Sequence, residues 1–268
     1  MANCNFIELI NETSLMTILK IKRHKYQIST LTQLKDEKKR LVSGDIKGNI
    51  KLWIFDDKQY ECNGNIKSEI ENLKILKLIH LSNQNLATLT EKIIEIWDIN
   101  SQRSNKKILQ KKNDNNHKFS SLLETKNNIL VSSSPTDYLR TYDINTLERK
   151  KKLKDVNCSS LNSLIEINDN KIVIGGNSKI FIVNMNCFEV EYYINVDGVV
   201  SSLYLLNDNT LLFGQDNLKL GQYDIDNKKC LGFIENANPC FIISSCQISN
   251  KYIITASFIQ CIFWEIKE

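Results

Sequence analysis

Proline and glycine are scarce in this chain, at two and nine residues among 268. Its tight turns must be made from other residues. Asn, Asp, Ser and Lys are abundant, and Asn and Asp tolerate the left-handed backbone that such turns demand. No apolar run approaches the roughly 20 residues a helix needs to cross a bilayer. The start, MANCNFIELINETS, lacks the basic and apolar parts of a signal peptide. These absences lead us to expect a soluble, intracellular, cytoplasmic protein, with the nucleus also open to it. Eight cysteines stand at 4, 62, 158, 187, 230, 240, 246 and 261 with no CxxC or CxxH spacing. Most lie in apolar, strand-like contexts such as FIISSCQI, which reads as reduced, packed thiols.

The motifs of catalysis are also missing. Three histidines, His24, His80 and His117, show neither HxH nor HExxH spacing. There is no P-loop, GxGxxG or GxSxG, and Gly175-Gly176 is unrepeated elsewhere, so it reads as a turn between strands. We therefore expect no catalytic residue, no metal, no cofactor and no small-molecule substrate.

What the chain does contain is a repeated hairpin. The stretch LVSGDIKGNIKLWIF (residues 41–55) joins two short apolar runs through a polar turn and closes on a tryptophan. The same closing position recurs at Trp53, Trp97, Tyr142, Val183, Tyr223 and Trp264, with spacings of 44, 45, 41, 40 and 41, and it takes all three tryptophans of the chain. About 20 residues upstream of each lies a second marker, small hydroxyl residues and then Leu, as in STLTQL, SSLLET, SSLYLL and SSCQIS. Two markers in step over six copies give a period of 40–45 residues. Within a copy the alternation is that of strands, four of them, which is the pattern of a propeller blade. Such a sheet cannot cover both of its faces alone and must stack on its neighbours.

On these residues the chain resembles the WD40-repeat family, in a divergent form with six repeats. The Trp-Asp pair stands at Trp97-Asp98, as Tyr-Asp at 142 and 223, and as Trp-Glu at 264. The family's turn histidine matches His24 and His117. Its turn Asp, six residues before the Trp, is replaced by Lys47, Glu91, Thr136, Asn177, Asn217 and Phe258, although Asp137 and Asp216 are one residue away. Loss of that Asp removes hydrogen bonds worth about 1 kcal/mol each, so the blades are expected to lean on apolar packing.

The resemblance implies a single all-β domain over 1–268, a six-bladed β-propeller of four-stranded antiparallel blades. The blades fall at about 25–70, 71–115, 116–155, 156–196, 197–237 and 238–268. The last copy stops after its third strand, and the β-like segment at 14–21 is unassigned. We expect residues 15–21 to pair beside residues 261–266 and close the last blade, removing two exposed sheet edges.

Function must then rest on surfaces. The turns between second and third strands, with those leading into first strands, form a candidate partner-binding face: Asp45, Lys47, Glu91, Asp137, Asn177, Asp216, Phe258 and Gln260. Phe258 is large and apolar for such a turn and reads as a packed plug or a contact anchor. Lysines cluster in a candidate basic rim, Lys106, Lys107, Lys111, Lys112, Lys150, Lys151 and Lys152, on outer strands. Charged outer strands keep edges soluble. A net charge of +4 and the lack of interleaved aromatics weigh against nucleic acid. The reading is a non-catalytic scaffold or adaptor with protein partners in a multi-subunit complex. The alternatives are a propeller that docks anionic lipid or RNA through the rim, and an enzyme or small-ligand binder that uses the central funnel.

Overall fold

The computed structural model describes the chain apart from residues 1–5, 11–16, 37–39, 56–59, 68–71, 110–117, 136–137, 155, 157–163, 168–169, 208, 248–251, 258–259 and 267–268. The described residues form 24 strands and no helix, so none contains a helix long and apolar enough to cross a membrane. Two compact units divide the chain, residues 1–115 and 116–268.

In the first unit, β1 (Phe6–Ile10) and β2 (Thr17–Lys22) make a two-stranded sheet. Two four-stranded sheets follow. One contains β3 (Ile28–Gln33), β4 (Arg40–Asp45), β5 (Asn49–Phe55) and β6 (Tyr60–Lys67). The other contains β7 (Lys77–His80), β8 (Asn85–Leu89), β9 (Ile93–Asp98) and β10 (Arg103–Leu109). The second unit opens with a four-stranded sheet of β11 (Ser121–Glu124), β12 (Ile129–Ser134), β13 (Tyr138–Asp143) and β14 (Arg149–Lys154). A seven-stranded sheet comes next: β15 (Leu164–Ile167), β16 (Lys171–Gly175), β17 (Asn177–Asn184), β18 (Glu189–Leu205), β19 (Thr210–Gln215), β20 (Leu220–Asp224) and β21 (Lys229–Ile234). It is followed by a three-stranded sheet of β22 (Ser244–Gln247), β23 (Tyr252–Ala256) and β24 (Cys261–Glu265). Every pair is antiparallel and joins sequence neighbours, so the chain is all-β and built of propeller-like meanders.

Four sheets reach four or more strands, where the repeat leads one to expect six separate blades. The fourth and fifth copies share a strand. β18 runs for 17 residues, pairing with β17 through its first part and with β19 from Val200 onward. The bend between these parts is taken by Gly198, at φ 118, where a Cβ would meet Asp216 Oδ1 at 2.8 Å. The last sheet has three strands. β2 pairs with β1, a partner the sequence pattern did not assign, and no described pair joins it to residues 261–266. Residues 15 and 16 lie outside the described residues.

The two markers now have physical causes. Of the closing residues, Trp53, Trp97, Tyr142, Val183 and Tyr223 are buried in the cores between sheets. The acid or amide that follows caps the next turn. Asp98 Oδ1 accepts from the N–H of Asn100 (2.8 Å) and Ser101, Asp143 Oδ1 from Asn145 and Thr146, Asn184 Oδ1 from Asn186, and Asp224 Oδ1 from Asn227. Four residues beyond each cap the backbone is left-handed, at Gln102, Leu147, Phe188 and Lys228 (φ 53, 60, 61 and 51). These hydrogen bonds let ordinary residues hold a conformation usually left to glycine.

The hydroxyl marker is an inter-sheet clamp. Ser29 Oγ donates to Gly44 O in its own sheet (3.2 Å) and to Ile75 O at the entry to the next (2.5 Å). Ser201 repeats this with Gly214 O and Ile242 O. Both glycines are sites of close approach: a Cβ would lie 2.7 Å from Ile75 Cγ2 at Gly44, and 2.7 Å from Ile242 Cβ at Gly214. Behind the first clamp lies a core of Val42, Ile50, Leu52, Leu78, Leu86 and Trp97, contributed by two sheets. Behind the second lies one built around Leu220 and Ile242.

Gly44→Ala is expected to lower stability by about 1–3 kcal/mol, since the added methyl meets packed atoms that cannot move aside. Gly64→Ala, whose Cβ meets the flexible Gln102 amide, should be near neutral. Thermal unfolding of the two variants checks this, and equal losses would refute the clamp.

Candidate functional site

The predicted face residues lie in equivalent turns of their own sheets. Asp45 and Lys47 stand at β4–β5, Glu91 at β8–β9, Asn177 at β16–β17, Asp216 at β19–β20 and Gln260 at β23–β24. Asp137 and Phe258 lie outside the described residues. Side chains lock these turns from within. Asp45 Oδ1 accepts from the N–H of Lys47 (2.8 Å) and Asn49 (3.0 Å), and Thr90 Oγ1 from Lys92 and Ile93. Ser257 Oγ accepts from Gln260 N–H at 3.2 Å, and Asp216 Oδ1 from Val199 N–H at 2.8 Å. Lys47, Asn177, Asp216 and Gln260 are exposed, while Glu91 is half-buried.

Asp45 is a correction, because it is 1% exposed and faces inward. It completes the network that the sequence pattern appeared to have lost. Trp53 Nε1–H donates to Ser43 Oγ (2.8 Å), the Ser43 hydroxyl meets His24 Nε2 (2.6 Å), and His24 Nδ1 faces Asp45 Oδ2 (3.1 Å). A carboxylate can only accept, so the tautomer that satisfies both contacts has Nδ1–H donating to Asp45 and Nε2 accepting from the Ser43 hydroxyl. Two further tryptophans find hydroxyls. Trp97 donates to Thr88 (3.1 Å) and Trp264 to Thr255 (2.8 Å), where Asn238 Nδ2 also donates (2.8 Å). Sequence reasoning missed Asp45 as a network member because it lies eight residues before its tryptophan rather than six. It missed Asn238 because an amide stands there in place of histidine.

The basic strands lie at sheet edges. β14 (RKKKLK) is exposed at five of its six positions, but its lysines have intramolecular partners. Lys150 Nζ is 2.7 Å from Asp143 Oδ2, the first cause of an Asp143 carboxyl held well below the usual range. Lys151 Nζ donates to Asn186 O (3.3 Å) and lies 5.8 Å from the Phe188 ring centroid. Lys152 is also partnered. Lys107 is half-buried in β10, Lys106 shares that strand, and Lys111 and Lys112 lie outside the described residues.

At the other end of the second unit's strands is a polar cleft of about 630 Å3 that the sequence pattern did not indicate. It crosses three successive meanders, from Lys126 and Asn127 in the β11–β12 turn, past Glu166 and Lys171, to Asp226 and Lys228 in the β20–β21 turn. Glu166 Oε2 accepts from Lys126 N–H at 2.8 Å, and burial raises its carboxyl above the usual range. Lys171 and Glu191 form an ion pair at 3.2 Å. Lys228 Nζ sits 4.6 Å from the centroid of Tyr192, whose hydroxyl burial pushes up to about 12. Among the described residues no group of three or more His, Cys, Asp or Glu is arranged to hold a metal ion. No protein-family model matches the chain, and no curated protein matches it.

His80 occupies in its copy (LIHL) the place of Glu166 (LIEI). It does the same work, its Nδ1 accepting from Lys35 N–H at 2.8 Å. Burial lowers the pKa of both His80 and His24 from the ordinary 6.5, and in each case it outweighs the carboxylate nearby. The folded state therefore favours neutral imidazoles. Their contribution is full above pH 6.5 and is lost as pH falls from there toward the depressed folded values. Unfolding temperature should drop between pH 7.5 and 5.5. His80→Gln, which can still accept the Lys35 N–H without titrating, should flatten part of that drop; an unchanged slope would refute the assignment for His80.

Proposed function

We propose that the chain is a non-catalytic interaction module of the WD40-like propeller class, holding protein partners in a larger assembly. One observation carries this reading: the turns at β4–β5, β8–β9, β19–β20 and β23–β24 are each held by a side-chain hydrogen bond, and they present differing groups. Lys47, Asp216 and Gln260 are exposed on these fixed turns, which lowers the ordering cost of binding a partner. These residue types make contacts and do not form a reacting constellation.

Affinity capture of the tagged protein from its native cells should recover a defined set of proteins in fixed ratio. Lys47→Glu and Gln260→Glu should reduce that recovery severalfold without lowering the unfolding temperature. Recovery of a metabolite or lipid with no protein would overturn the scaffold reading.

A further inference from the structure

The cleft across β11–β21 lies away from the locked turns, and its charges are not equivalent. Lys126 and Lys228 are exposed; the Lys228 ammonium lies over the Tyr192 ring, and the charge of Lys126 acts on Glu166. Lys171 is already paired with Glu191. Glu166 differs from all of these: it is half-buried, and the one hydrogen bond that fixes it, from Lys126 N–H, uses Oε2. Glu166 lines the cleft, and among the described residues Oε1 makes no hydrogen bond or ion pair. Asp226, farther along, likewise has no ion pair among them. A fixed, partly desolvated carboxylate with spare acceptor capacity attracts a cation more strongly than these lysines attract an anion.

The floor suits an extended chain. Asn127 Nδ2 donates to Asn170 Oδ1 at 2.9 Å, which leaves the Asn127 carbonyl for a backbone N–H, and the Asn209 amide lines the far end. Ile167 and Ile225 are the apolar members of the lining, placed to take aliphatic stems. A volume of 630 Å3 is within the range of sites that enclose a ligand, but the polar lining suits a peptide rather than an apolar molecule.

We propose that this cleft binds an extended segment of a partner protein and takes an arginine or lysine side chain of that segment on the Glu166 carboxylate. The inference rests on the scaffold reading and names the chemistry of one partner contact. Arginine suits the site better than lysine, because its planar fork can meet Glu166 Oε1 while its other nitrogens turn toward Asp226.

The test is a nuclear magnetic resonance titration of the full 15N-labelled chain with N-acetyl-Leu-Arg-Leu-amide, compared with the tripeptides centred on Gln and Glu. The arginine peptide should shift the amides of Lys126, Glu166 and Lys171 saturably, and the other two should bind at least about tenfold more weakly. Glu166→Gln keeps an acceptor for the Lys126 N–H, so it should keep the fold and still weaken the arginine peptide by at least about tenfold. Lys92→Gln, an exposed lysine of the first unit outside the cleft lining, should leave it within about threefold. No saturable shift, equal binding of the glutamate peptide, or full affinity in Glu166→Gln would each overturn the cleft as a basic-side-chain site. That failure is separate from failure of the scaffold reading, which is decided by protein recovery with the Lys47 and Gln260 variants.

Discussion

A four-stranded meander of about 40 residues has two apolar faces and can bury neither by itself, so its stability lies in the joint with the next sheet. In this chain the joint has a repeated chemistry. A first-strand serine donates across the gap to an isoleucine carbonyl, and a second-strand residue without a side chain lets that isoleucine come close. Ser29, Gly44 and Ile75 make the joint once; Ser201, Gly214 and Ile242 make it again. In these two copies the hydroxyl links two sheets, while in the third Ser120 meets Ser133 Oγ of its own sheet at 2.9 Å. The same constraint accounts for Gly44 and Gly214, which stand at close approaches, while Gln102, Leu147, Phe188 and Lys228 take left-handed turn positions under the support of a capping carboxylate or amide.

The polar networks follow a second rule. Each tryptophan at a closing position has a hydroxyl nine or ten residues before it: Ser43 for Trp53, Thr88 for Trp97 and Thr255 for Trp264. Where the closing residue is valine or Tyr223, that place holds Ile174 or Gly214. An indole N–H buried without an acceptor carries a desolvation cost that a valine does not. Each indole thus has its hydroxyl, although the hydroxyl also stands without an indole, as Ser133 does nine residues before Tyr142. In the fourth and fifth copies that place holds no polar side chain, and Val173, Ile180 and Phe213 share one core.

Much of this was legible in the sequence. The period, the closing positions and the four-strand order within a copy follow from side-chain alternation and turn chemistry, and both depend on near neighbours. What was not legible depends on distance or continuity. Nothing local says that the fourth and fifth copies share β18, because a single left-handed Gly198 redirects a strand without interrupting it. The five-residue strand FIELI gave too short an alternation to assign, and with it the partner of β2 was missed. The repeat register assigns Asp45 to the face formed by the turns; its contact with His24, 21 residues away, is what turns it inward. Glu166 and Asp226 gave no signal because they lie in different copies, and only folding brings them to one cleft. A comparison of LIHL with LIEI across copies marks the position, and shows that a neutral histidine and a glutamate can each accept the same cross-sheet N–H.

Edge chemistry separates the surfaces. A strand at the end of a sheet has unpaired backbone groups and is usually protected by charge. β14 follows that rule with five basic residues in six, and its lysines are tethered to Asp143, Asn186 and Phe188, which is what an edge guard needs and a phosphate-binding patch does not. β21 breaks the rule. Leu231, Phe233 and Ile234 are 50%, 46% and 44% exposed, and Phe233 stacks edge-on against buried Phe213, continuing the core outward. An apolar strand face of this size favours being covered by more polypeptide, whereas the cleft at Glu166 is lined mostly by polar and charged groups. The two surfaces therefore differ in kind. One gains free energy by removing apolar area from water, and the other discriminates by charge and geometry, so they suit a permanent structural contact and an exchangeable recognition contact respectively.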